Sequence, residues 1–111
     1  MAIETRRTES GAPVLAVTGR LTFGRDVERL EKVVKELLAQ GRTRMVFDLT
    51  DLEYVDSSGI GALVSCLTHV KKSGGELRMA GANARLQRLF KMTGVDQLLS
   101  MYPTVAEASA G

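Results

Sequence analysis

A chain of 111 residues suits one domain and leaves no room for two. With 44% hydrophobic and 25% charged residues, the composition is that of an ordinary globular protein and excludes disorder across the body of the chain. Fifteen Lys and Arg interleave with thirteen acids for a formal net charge of +2, so no basic block marks a nucleic-acid binder.

No segment approaches the ~20 apolar residues of a membrane span. Met1-Ala2-Ile3-Glu4 lacks the basic-then-apolar order of a signal peptide. The expectation is a soluble cytoplasmic protein with neither nucleic-acid binding nor direct membrane insertion. The single cysteine, Cys66, cannot form an internal disulfide and falls in an apolar helical pattern, where a buried thiol is expected.

Ile3 to Thr8 is polar and partly alternating, as in an edge strand. Ser10-Gly11-Ala12-Pro13 is turn chemistry, and the β-branched run Val14 to Thr18 predicts a returning strand ended by Gly19. Val27, Leu30, Val33, Val34, Leu37 and Leu38 recur at steps of three and four, with charged residues between them, which predicts an amphipathic helix stopped at Gly41. Met45 to Leu49 is almost continuously apolar, as in a central strand covered on both faces.

A loop is expected over Thr50 to Asp56, and a second helix over Ser58 to Lys72 with Ile60, Leu63, Val64, Leu67 and Val70 on one face. Ser73-Gly74-Gly75 breaks it, and Glu76 to Ala80 is a further strand. Asn83 reads as the cap of a third helix that turns Leu86, Leu89 and Phe90 inward and closes at Gly94. Leu98 to Tyr102 is a last short strand. Pro103-Thr104 opens a small final helix, with fraying expected from residue 108 to 111. Strands alternating with amphipathic helices predict a layered α/β domain, without internal repeats or linkers.

The stretch Tyr54-Val55-Asp56-Ser57-Ser58-Gly59-Ile60-Gly61 is the most distinctive. Nucleophilic serine catalysis needs a base within hydrogen-bond reach. The only histidine, His69, lies twelve residues beyond Ser57 on the same predicted helix, roughly 18 Å along its axis, and has no companions at metal-ligand spacing. The order also differs from a Gly-x-Ser-x-Gly elbow. Gly59 and Gly61 open a helix as in a dinucleotide fingerprint, but the third position holds Val64. Gly19 and Gly24 have phosphate-loop spacing, but Arg25-Asp26 stand where Lys-Ser/Thr would be needed.

Two readings remain. In the structural one, Asp56, Ser57 or Ser58 caps the helix and Gly59 and Gly61 let its start pack tightly. In the regulatory one, Ser57 is a phosphosite at a helix N-terminus and at the carboxyl end of a central strand, where exposed groups gather in open α/β sheets. A phosphate there would gain from the helix dipole and free N–H groups. It would also repel Asp56 and add about 1.5 to 2 negative charges to any partner surface.

The segments "VFDLTDLEYVDSSGIGAL", "GELRMAG", "RLQRLFKMTGVDQLL" and "VTGRL" together resemble a STAS domain, specifically the bacterial anti-sigma factor antagonists. They span nearly the whole chain in order. The resemblance implies one domain over residues 1 to 111, with a central mixed β-sheet of about four to five strands and about four helices. It implies no catalytic activity, no cofactor and no metal.

It also implies partner switching. The unmodified domain binds a serine-kinase anti-sigma factor and frees a sigma factor. The kinase uses its own bound ATP to phosphorylate Ser57, and a metal-dependent serine phosphatase reverses this. Thr22, Asp56, Ser58, Gly59, Ile60 and Gly61 are the expected flanking and partner-binding residues, and a weak homodimer is compatible with the family. Many members carry Asp where this chain has Thr22, so the surface beside the phosphosite is less acidic than usual, which bears on the partner. The alternative is a STAS subunit of an ABC-type lipid transport complex or another scaffold, binding without phosphorylation.

Overall fold

The computed structural model describes residues 1–8 and 11–110. Strand β1 (Ala2–Arg7) pairs antiparallel with β2 (Pro13–Leu21), with Ala2 opposite Thr18 and Arg7 opposite Pro13. Of the turn expected between them, Ser10 lies outside the described residues. Gly11 takes a left-handed φ of 87°, and the Thr8 N–H donates to the Ala12 carbonyl.

From β2 the chain enters helix α1 (Arg25–Ala39), strand β3 (Arg44–Asp48), strand β4 (Leu52–Val55) and helix α2 (Ser57–Lys72). Strand β5 (Glu76–Ala80), helix α3 (Ala84–Thr93), a single 3-10 turn (Val95–Gln97), strand β6 (Ser100–Tyr102) and helix α4 (Val105–Ser109) complete it. The sheet runs β1-β2-β3-β5-β6, and every pairing after the first is parallel. The α/β class and the four helices stand as expected.

Strand β2 is longer than its sequence pattern predicts and does not end at Gly19. Its first half pairs with β3, Val14 opposite Val46. Its second half pairs with β4, Arg20 opposite Tyr54 and Leu21 opposite Val55. Gly19 marks the change of neighbour: the register shifts between Gly19 and Arg20, and Glu53 is the extra residue on β4. Most of the segment expected as a loop, Thr50 to Asp56, is therefore strand β4, one strand more than the sequence pattern predicts. The Asp48 carboxylate accepts from both the N–H (3.0 Å) and the hydroxyl of Thr50. That Asx turn ends β3 and sends the chain across to the free end of β2.

The parallel strands read as apolar runs because both faces are covered. On one face Leu15, Val17, Phe47, Leu77 and Met79 pack with Leu30 and Val34 of α1, Leu63, Cys66 and Val70 of α2, and Phe90 of α3. On the other, Val14, Val46 and Ala80 meet Ala108, Val105 and Tyr102. Packing thus reaches the end of α4: Ala108 is buried and Ser109 helical, further along than the expected onset of fraying, and Gly111 lies outside the described residues. The final strand is shorter than expected, because Val95–Gln97 form the 3-10 turn and Leu98 remains exposed. Asn83 caps α3 as expected, its Oδ1 accepting from the Leu86 N–H at 2.8 Å.

Candidate functional site

The ends of β2 and β4 converge on the start of α2. Asp56 is extended (φ −92°, ψ −176°) and is the N-cap. Its Oδ1 accepts from the Gly59 N–H at 2.8 Å. Its Oδ2 reaches back to the β2–α1 loop and accepts from the Phe23 N–H at 2.9 Å. Its own N–H donates to the Leu21 carbonyl at 3.3 Å. One aspartate therefore caps the helix and ties it to a loop thirty-three positions earlier. Hydrogen bonds from the Phe23 and then the Gly59 N–H hold its carboxyl below the usual carboxylate range.

Ser57 follows as the first residue of α2, and its side chain is exposed. Ser58 is half-buried. Gly59 is buried under β2, and a Cβ there would stand 2.3 Å from the Leu21 carbonyl oxygen. Gly61 is different: a Cβ there would meet nothing within 4 Å. Tight packing thus requires only the first of the two glycines. Ile60 packs half-buried against the main core. Thr22, just after β2, donates its hydroxyl to Asp26 Oδ2 at 3.3 Å. The site residues named from the sequence come together, with Gly61 on the outer side of the helix.

Of the helix-start N–H groups expected to favour a phosphate on Ser57, that of Gly59 is already held by Asp56 Oδ1 and that of Ile60 by the Asp56 carbonyl. Sequence reading also missed two features. Nothing in the sequence signals that Asp56 and Phe23 are partners. Nor does it show that Arg20 lies over the Tyr54 ring, 4.4 Å from its centroid, a contact the β2–β4 pairing creates.

The geometry is poor for catalysis by the serine. Asp56, the acid next to Ser57 in the chain, has both oxygens occupied and its basicity lowered. His69 sits three turns along α2, half-buried. The Cys66 thiol is fully buried, and desolvation pushes its pKa up to about 12, the signature of an inert core cysteine. Among the described residues no cluster of three His, Cys, Asp or Glu could hold a metal ion. Among the described residues no helix is long and apolar enough to cross a membrane.

The chain belongs to the STAS domain family, which matches residues 2–108, and within it to the anti-sigma factor antagonists. A Thermotoga maritima relative, provisionally named an anti-sigma factor antagonist, is 30% identical over 76 residues, 68% of this chain and 67% of the relative. The anti-sigma-B factor antagonist of Bacillus subtilis is 37% identical over 71 residues, 64% and 63% of the two chains.

The fold is shared with a Thermotoga maritima crystal structure (TM-score 0.80, 24% identity, 96% of this chain and 90% of the other). It is shared too with the phosphorylated form of the Bacillus cell fate determinant SpoIIAA (TM-score 0.72, 19% identity, 96% of each chain). The unphosphorylated form of SpoIIAA matches equally well (TM-score 0.73, 18% identity, 96% and 92%).

Proposed function

We propose that this chain is a non-enzymatic, cytoplasmic anti-sigma factor antagonist controlled by phosphorylation of Ser57. Unmodified, it binds a serine-kinase anti-sigma factor. The kinase, holding its own ATP, transfers the terminal phosphoryl group to the Ser57 hydroxyl and the complex separates. A serine phosphatase restores the binding form.

The observation that carries this reading is the exposed hydroxyl at the first position of α2, immediately after a capping aspartate that stays ionised. A phosphoserine there adds about 1.5 to 2 negative charges beside an existing one. The domain tolerates this because Ser57 is outside the core, whereas a docked partner would have to bury the charge. Thr22, Asp56, Ser58 and Ile60 border the same surface. Gly59 contributes by letting the helix start sit against β2.

The test is incubation with each serine-kinase anti-sigma factor of the host bacterium in the presence of ATP, followed by phosphopeptide mapping. Phosphate on Ser57, absent from Ser57→Ala, supports the switch. A stable complex with an ABC ATPase, formed equally by wild type and Ser57→Ala and with no phosphate on either, would replace it with the transport-subunit reading.

A further inference from the structure

The β2–α1 loop displays an aromatic ring that the core does not use. The chain has three phenylalanines; Phe47 and Phe90 are fully buried, while Phe23 is 83% exposed. Its backbone is nevertheless fixed, because Asp56 Oδ2 holds its N–H. Two residues before Asp56, Tyr54 is 43% exposed and carries the Arg20 guanidinium over its ring. Phe23 therefore lies beside Asp56, and the Arg20–Tyr54 pair lies on the β2–β4 ends that lead into it.

The polar groups around them are biased in sign. Arg20 and Arg25 are exposed, and neither has a carboxylate partner among the described residues. The acids of the same loop and helix start are engaged, Asp26 by the Thr22 hydroxyl and Asp56 by two N–H groups. Two exposed acids edge the patch, Glu53 in the β4 bulge next to Tyr54 and Glu28 one turn after Arg25 on α1, and neither is in an ion pair with Arg20 or Arg25.

We propose that the partner meets this surface with an apolar slot rimmed by carboxylates, taking Phe23 as the anchor and pairing with Arg20 and Arg25. The proposal rests on the partner-binding reading above and specifies the chemistry of the partner. An aromatic side chain on a loop already held in place loses little conformational freedom on docking. Aromatic and arginine side chains are also the residue types that dominate interface energetics.

An acidic rim accounts for the direction of the switch. The phosphate on Ser57 would face carboxylates and drive the complex apart, whereas a basic rim would attract the phosphate and make phosphorylation tighten binding.

The experiment titrates purified serine-kinase anti-sigma factors of the host bacterium against wild type, Phe23→Ala, the double variant Arg20→Glu/Arg25→Glu, and Met92→Ala. Met92 is equally exposed, at 83%, but lies on α3. All the substituted side chains are on the surface, and circular dichroism confirms each fold. Phe23→Ala should weaken binding about 30-fold or more. The charge reversal should weaken it about tenfold or more and remove the loss of affinity with added salt, while Met92→Ala leaves it unchanged.

If a kinase binds and phosphorylates Ser57 but Phe23→Ala and the charge reversal stay within about twofold of wild type, the acidic-slot proposal is overturned and the switch stands. If no kinase binds wild type, both are overturned.

Discussion

Gly59 of α2 and Leu21 of β2 lie so close that a Cβ on Gly59 would stand 2.3 Å from the Leu21 carbonyl oxygen. The obstacle is backbone, held in the β2–β4 pairing, so neither side can give way cheaply. Gly59→Ala should therefore destabilise the fold by about 1–3 kcal/mol despite the better helix propensity of alanine. Gly61, two residues on, meets nothing, and Gly61→Ala should stabilise by about 0.5–1 kcal/mol. Urea unfolding of the two variants should move in opposite directions, and equal shifts would mean that the helix start does not press on β2.

Asp56 makes stability depend on acid in a defined window. Its folded carboxyl sits below the unfolded value of about 3.9, chiefly through the Phe23 N–H and then the Gly59 N–H. Near that pH the unfolded chain binds more protons, so stability rises with pH. The contribution is fully present above the unfolded pKa and is lost as pH falls through the folded one. Asp48 acts in the same direction: burial alone would raise its pKa, but hydrogen bonds from Thr50 and Arg6 outweigh it. Asp56→Asn keeps a capping oxygen and removes the charge. Its melting temperature should vary less than that of wild type below about pH 4, and an unchanged profile would show that Asp56 does not carry the effect.

Asn83 does two jobs at the start of α3. Its Oδ1 caps the Leu86 N–H, and its Nδ2 donates to the Leu52 carbonyl of β4 at 3.3 Å. Asn83→Ala should cost about 1–2 kcal/mol. Asn83→Asp retains the cap and loses only the link to β4, so it should fall between wild type and alanine in chemical denaturation. If it is as damaging as alanine, the link to β4 outweighs the cap.

Cys66 should report global opening. It is buried, and its thiol pKa is pushed up to about 12, so no thiolate is available in the folded protein near neutral pH. Labelling by a thiol reagent at pH 8 should proceed only through unfolding and should accelerate in Gly59→Ala. Labelling as fast as a free thiol would place Cys66 at the surface.

The helices and the inner strands were legible because their apolar periodicity is long and regular. Strand β4 was not. With four residues and only Leu52 and Val55 buried, it carries too little pattern to separate from a loop, and its partner is the far half of β2. The same non-local pairing explains why Gly19 misleads, since a glycine that would end a strand in isolation here marks a change of neighbour.

At the site, the aspartate–serine–glycine helix start was readable from local capping chemistry. The Asp56–Phe23 bond and the Arg20–Tyr54 stack join segments more than thirty residues apart, and no spacing rule reaches across that distance.

The central claim is that phosphate on Ser57 decides whether a partner binds. The most direct measurement is the affinity of the kinase anti-sigma factor for the unmodified protein and for protein carrying stoichiometric phosphoserine at position 57. The account predicts binding weaker by about 100-fold or more on phosphorylation, the scale of a like-charge clash costing several kcal/mol at an interface. Equal affinity for the two forms, with both folded, would contradict it.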